Sequence, residues 1–236
     1  MSEPAAAGSE EFTAALHAHA ERYWDRHPFH LRLHRGELTP DEVRRWIANR
    51  WYYQKWLPQK DAAVVANCPV PEIRRRWLQR IAYQDGTAEG RGGNAQWLDL
   101  ADAAGLPRAE VLDERHVLPA VRFATDAYVT FARTRPWTEA VAASLTELFS
   151  PGLMRERHTA LRTHYPWIDP AGLGYFAARP EAATGDARHA LRVVTAYCTT
   201  RERRQAALDA LAFKCDVLWS MLDALDHAGR TEEARG

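Results

Sequence analysis

Lys214 stands at a position where a charge does not belong. In "FKCDVLWSMLDAL" it shares helical spacing with Val217, Leu218, Met221, Leu222 and Leu225, the stripe that should turn inward. The same conflict recurs in "EIRRRWLQRIAYQDG", where Ile73, Trp77, Arg80 and Gln84 fall on one face. It recurs again in "ANRWYYQKWLPQKDA", where Arg50, Tyr53, Gln54 and Leu57 share a face with Trp46. "YFAAR" sets Tyr175 and Arg179 four apart, and "LTELFSPGLMRERH" puts Glu147 next to Ala143 and Ser144, with Arg157 a few turns beyond. One Lys or Arg at the margin of an apolar stripe extends its head group to water. Several on inward faces need partners, because burying an unpaired charge costs several kcal/mol. Five cations among tyrosines and glutamines describe a basic pocket walled by rings. Such a pocket suits a small planar ligand with several carboxylates: Arg grips carboxylate through paired N–H groups, Lys acts as a point charge, and rings supply flat walls.

Other constellations carry less. "HPFHLRLH" sets His30 and His34 four apart, the spacing of a metal pair, but no acidic third ligand is near; they read as an exposed basic patch. The loop "GTAEGRGGN" follows no strand and matches no phosphate-binding spacing, so it reads as a flexible connection. No Gly-x-Ser-x-Gly nucleophile motif is present.

The elements that must position these residues are all helical. A first helix is expected over 12–24 and a short one over "FHLRLH", stopped at Gly36. "LTPDEVRRW" is a strong start signal, with Thr39 as cap, Pro40 at the first helical position and Glu42 three residues on. Pro58 should kink that helix or divide it. Further helices are expected over about 70–84, "AQWLDLADAAG", 121–133, 137–149, "LMRERHTALRTHY", 182–197 and 201–228. Thr199 and Glu202 are spaced as a capping box for the last of these. Residues 1–11 read as a disordered lead, 12–228 as a single domain and 229–236 as a tail. Alternating strand patterns and internal repeats are absent, so the fold class is all-α.

Composition narrows the partners. Thirty-one basic residues balance thirty-one acidic ones, which gives the whole chain no electrostatic pull toward nucleic acid or an anionic membrane. No apolar stretch approaches membrane-spanning length. Three scattered cysteines form neither a metal cluster nor a disulfide framework, which points to a reducing cytoplasm. Nine tryptophans are many for 236 residues and fit a core or a pocket wall.

The blocks "ANRWYYQKWLPQKDAAVVANCP", "ERHVLPAVRFATDAYVTFAR", "SLTELFSP", "HYPWIDPAG" and "FKCDVLWSMLDAL" together resemble the pyrroloquinoline-quinone synthase family, over nearly the whole chain. The resemblance implies a seven-helix bundle of the haem-oxygenase-like type, a homodimer, and no metal or organic cofactor. It implies that a polycarboxylated quinoline-quinone precursor is ring-closed and oxidised by molecular oxygen, with hydrogen peroxide released. Carried over residue by residue, Arg50, Gln54, Lys60, Arg80, Arg157 and Lys214 would bind the acidic substrate and Tyr23, Tyr53 and Tyr128 would line it. Tyr175 and Arg179 would flank oxygen or peroxide, and Glu147 would anchor the polar network.

At three pocket positions where the family places histidine, this chain has Trp24, Gln84 and Met154. None of the three can act as a general base near neutrality. Two consequences stay open beside synthase activity: oxidation of a different small aromatic acid with Tyr175, Tyr128 or Lys214 carrying protons, or a non-catalytic carrier of the precursor or quinone.

Overall fold

A computed structural model describes the backbone of residues 3–88 and 90–233, and the side chains of residues 8–88, 90–177 and 183–231. Eleven α-helices follow one another: α1 (Glu3–Ala18), α2 (Pro28–Arg35), α3 (Pro40–Asn67), α4 (Pro71–Asp85), α5 (Gly93–Ala103), α6 (Arg108–Leu112), α7 (Pro119–Thr134), α8 (Trp137–Ala142), α9 (Ser150–His164), α10 (Gly174–Tyr197) and α11 (Arg201–Glu233). Four 3-10 segments lie between them, at His19–Arg22, Trp24–Arg26, Ala143–Leu148 and Pro170–Leu173. Strand pairing among the described residues is limited to Gly86–Thr87 against Gly90–Arg91.

The all-α expectation is borne out, and the seven-helix count is not, because short α and 3-10 segments interrupt the longer helices. The helical trace begins at Glu3, inside the stretch expected as a disordered lead, and α11 continues to Glu233, inside the expected tail. Residues 234–236 lie outside the described residues. Helix α3 runs unbroken through Pro58, so the expected division does not occur. Its start is as expected: the Thr39 hydroxyl accepts from Glu42 N at 3.2 Å, and Glu42 Oε2 accepts from Thr39 N at 2.8 Å. Thr39→Ala should lower stability by about 1 kcal/mol. In a chain of this size that is a fall of about 2–4 °C in Tm, readable by thermal denaturation; an unchanged Tm would show that the Glu42 carboxylate alone satisfies the turn. For α11 the capping hydroxyl is Thr200, accepting from Arg203 N at 3.3 Å, rather than Thr199.

Helix α3 is the central element, packed on α7, α4 and α5, while α10 packs on α9 and on the 143–148 segment, and α11 on α7 and that same segment. Buried rings join α3, α5 and α10: Trp46 meets Trp97 edge-on at 5.5 Å, and Trp97 meets Tyr175 edge-on at 5.1 Å. These contacts fix the Tyr175 ring from behind and leave its hydroxyl directed toward α3. No helix among the described residues is long and apolar enough to cross a membrane.

Candidate active site

Residues of α3, α4, α7, α9, α10 and α11 line a cavity of about 50 Å³. Its wall carries Tyr23, Trp24, Arg50, Tyr53, Leu57, Lys60, Arg80, Tyr128, Ser144, Thr146, Glu147, Ser150, Met154, Tyr175 and Leu218. Gln54, Gln84, Arg157 and Lys214 are buried one layer behind that wall. The Arg179 side chain lies outside the described residues. Trp51, Tyr52 and Trp56 of the same α3 stretch are not in the wall, and Tyr52 donates to Asp126 at 2.9 Å.

One end of the cavity is an ion network. Lys60 Nζ donates to Asp61 Oδ1 and, at 3.0 Å, to Ser144 Oγ. Arg80 forms a two-pronged bond to Glu147 at 2.6 and 2.7 Å and reaches Asp61 at 3.4 Å and Asp186 at 3.2 Å. Burial works against the Arg80 charge, but the Asp61 and Glu147 carboxylates outweigh it and hold the guanidinium well above its usual range. Arg80 and Lys60, expected as substrate cations, are therefore already neutralised by protein carboxylates. Sequence reading missed Asp61 and Asp186. The usable signal for Asp61 was its place beside Lys60 on a helix whose inward face carries charge.

The other end is cationic. Arg50 is buried, its Cζ 4.2 Å from the Tyr53 ring centre and 5.4 Å from that of Trp24, and its Nε and Nη1 have no hydrogen-bond partner. Arg157 Nη2 lies 2.8 Å from His30 Nε2, while His30 Nδ1 lies 2.7 Å from the Trp24 carbonyl. A carbonyl only accepts, so His30 carries its proton on Nδ1 and accepts from Arg157 through Nε2. Burial and the adjacent Arg157 hold the His30 pKa well below its ordinary value. Reading His30 as part of an exposed patch is thus corrected: it is a buried, neutral imidazole stacked on His34 at 6.0 Å. Burial and repulsion from Arg50 bring the Arg157 pKa down to about 10.

Between the ends run two polar chains. Tyr175 Oη donates to Gln54 Oε1 at 3.2 Å, and Gln54 Nε2 donates to Gln84 Oε1 at 2.6 Å. That chain ends on an amide carbonyl, which takes no proton near neutrality. A Cβ on Gly93 would come within 2.7 Å of Gln84 Oε1 and 3.4 Å of the Tyr175 ring. The glycine-rich segment expected as a flexible connection is thus packed close behind the site. In the second chain, Lys214 Nζ donates to Tyr53 Oη at 2.6 Å and lies 3.6 Å from the Tyr128 ring centre, between the stacked Tyr53 and Tyr128 rings. No carboxylate partners Lys214 among the described residues. Burial, with Arg50 and Lys60 nearby, holds its pKa well below the ordinary amine value. Burial likewise raises the Tyr23, Tyr53 and Tyr128 phenols above their usual range.

The model of the TENA/THI-4/PQQC family matches residues 13–224. The chain belongs to this family. It is 48% identical over 225 residues to a pyrroloquinoline-quinone synthase of Cronobacter sakazakii, covering 95% of this chain and 90% of that one. A pyrroloquinoline-quinone synthase of Pseudomonas aeruginosa is 48% identical over 228 residues, covering 97% and 91%. Among solved structures, a domain with a heme oxygenase-like fold from Shewanella denitrificans OS217 superposes with a TM-score of 0.77 at 14% identity, covering 94% and 93%. A TenA homologue from P. horikoshii OT3 does so at 0.70 with 10% identity, covering 91% and 97%. At those identities the likeness is one of fold, and it agrees with the haem-oxygenase-like expectation.

Proposed function

We propose that this TENA/THI-4/PQQC family member is an oxygen-dependent oxidase of the pyrroloquinoline-quinone synthase type. Its substrate is a planar, polycarboxylated quinoline-quinone precursor. The observation that carries this reading is a cavity between tyrosine and tryptophan faces, with the buried Arg50 guanidinium lacking a carboxylate partner among the described residues. An anionic aromatic ligand supplies that partner and the flat surface the rings complement. Each two-electron oxidation removes two electrons and two protons from the substrate and reduces one oxygen molecule to hydrogen peroxide. The Lys214–Tyr53 pair provides a base without histidine: the Tyr53 hydroxyl turns its proton onto the neutral Lys214 amine, reversing the hydrogen bond in which Lys214 donates, as its oxygen accepts a ligand proton. The cation-rich end of the cavity stabilises negative charge developing on ligand or peroxide.

A second reading, a carrier that holds precursor or quinone without turnover, is favoured by Trp24, Gln84 and Met154, none of which moves a proton near neutrality. Incubation of the purified protein with the precursor under air, following quinone absorbance and peroxide, separates the two. Many turnovers with peroxide release are expected; one stoichiometric spectral change without turnover would establish the carrier. Trp24→His, Gln84→His and Met154→His combined should raise turnover by about 100-fold, the lower range of general acid–base contributions. A triple variant no faster than the parent would exclude those positions as the limit on rate.

A further inference from the structure

Arg157 does not line the cavity, yet it touches two residues that do. Its Nη1 lies 3.9 Å from the Met154 sulfur, and its Cζ stands 5.7 Å from the centre of the Trp24 ring. On its far side are His30, at 2.8 Å, and the Trp46 ring, at 5.4 Å. The guanidinium is 1% exposed, its Nε has no hydrogen-bond partner, and no carboxylate stands beside it among the described residues. A cation in that setting forms a ready site for an anion, because an incoming carboxylate gains a strong charge-assisted bond and relieves a buried unpaired charge. What stands between this site and the cavity is an indole and a thioether. Neither can offer a charge to a ligand, and the Trp24 Nε1 donor itself has no partner.

We propose that Trp24 and Met154 form a seal that withholds Arg157 from the ligand. The pocket then favours aromatic acids with one carboxylate fewer than it would hold with Arg157 open to it. Arg50 meets the ligand, Arg157 waits behind the seal, and His30 keeps the Arg157 guanidinium in place by accepting its Nη2 proton. This choice of ligand rests on the reading of the cavity as a site for aromatic carboxylates; the seal itself does not.

Modification by phenylglyoxal, mapped by peptide mass spectrometry, tests the seal without any ligand. In the parent protein Arg50 should react and Arg157 should be spared. In Met154→Ala, and independently in Trp24→His, Arg157 should react about tenfold faster or more, with far-ultraviolet circular dichroism confirming that each variant is folded. Arg157 reacting as fast as Arg50 in the parent, or no faster in either folded variant, would overturn the seal. Calorimetry with quinoline-4-carboxylate and quinoline-2,4-dicarboxylate tests the specificity. The parent should bind the two acids within about threefold of one another. Met154→Ala should favour the dicarboxylate by about tenfold, equivalent to about 1.4 kcal/mol, and a second substitution, Arg157→Gln, should abolish that gain. A parent whose affinity for the dicarboxylate already falls with Arg157→Gln would overturn the specificity role. Binding of neither acid, with the labelling pattern as expected, would overturn the aromatic-acid reading of the cavity and the specificity drawn from it, while the seal stands.

Discussion

Asp61→Ala is expected to lower the stability of the protein by about 3–5 kcal/mol, the range for removing one member of a buried ion pair. Asp61 is buried, and it holds two cations at once: Lys60 through Oδ1 and Arg80 through Oδ2. Without it Lys60 retains, among the described residues, the Ser144 hydroxyl at 3.0 Å and the Tyr128 ring face at 5.6 Å, neutral partners for a buried ammonium. Arg80 keeps Glu147 and Asp186, so the uncompensated charge is that of Lys60. A fall of about 10 °C in Tm follows for a chain of this length. Asp61→Asn preserves volume and one acceptor, and a similar fall there would assign the effect to charge rather than to packing. Glu72→Ala, which breaks the exposed pair with Arg75 at 2.9 Å, should leave Tm unchanged within error. The Lys60→Met, Asp61→Leu double variant should recover most of the loss, since apolar residues of similar volume replace a buried pair at little cost. Thermal denaturation reads all four. A fall of less than about 3 °C for Asp61→Ala would mean that water or a neighbouring carboxylate compensates Lys60. It would also remove the basis for calling that end of the cavity neutralised.

The faces of the helices were legible in the sequence; their depth was not. Ile73, Trp77, Arg80 and Gln84 are buried together as their spacing predicts, and so are Lys214, Val217, Leu218, Met221, Leu222 and Leu225. Periodicity reports direction, and a residue that points inward can end in the cavity wall or behind it. Gln54 and Arg157 share inward stripes with Arg50 and Met154, yet lie one layer deeper because the neighbouring rings take the wall. Counter-ions were harder still. Asp186 reaches Arg80 from a helix more than a hundred residues away, and no local spacing encodes that pairing. His30 was misplaced for a related reason: α2 is short and flanked by Arg and His, so it reads as surface, whereas it packs against α9 and α11. The three 3-10 segments at 19–26 and 143–148 carry no periodic signature, and they supply Trp24, Ser144, Thr146 and Glu147 to the wall.

Lys214→Met is expected to abolish turnover while making the protein more stable at neutral pH. The two effects have one cause. Lys214 is buried with no carboxylate bonded to it among the described residues, and burial together with Arg50 and Lys60 outweighs the more weakly acting Glu147; its charged form is therefore disfavoured in the folded protein and not in the unfolded chain. The sign follows from the protons bound in each state. Between the depressed folded pKa and the ordinary amine value of about 10.4, the unfolded chain holds a proton that the native state has released. Stability contributed by this residue rises with pH across that window, by about 1.4 kcal/mol per pH unit. Methionine has no such dependence. The stabilisation of Lys214→Met over the parent should be largest at neutral pH and shrink as pH approaches 10. Urea unfolding of both proteins at pH 7 and pH 10 measures it, and groups common to both cancel in the difference. An advantage that is absent at pH 7, or that grows with pH, would mean that Lys214 is charged in the fold and cannot be the base. Lys214→Arg supplies the converse: a guanidinium stays protonated where an amine does not, so that variant should lose turnover and stability together. Activity surviving in Lys214→Arg would move the base to another residue. Loss of turnover in both variants, with the stability effects in opposite directions, would tie the neutral amine to the chemistry rather than to the packing of the Tyr53 and Tyr128 rings.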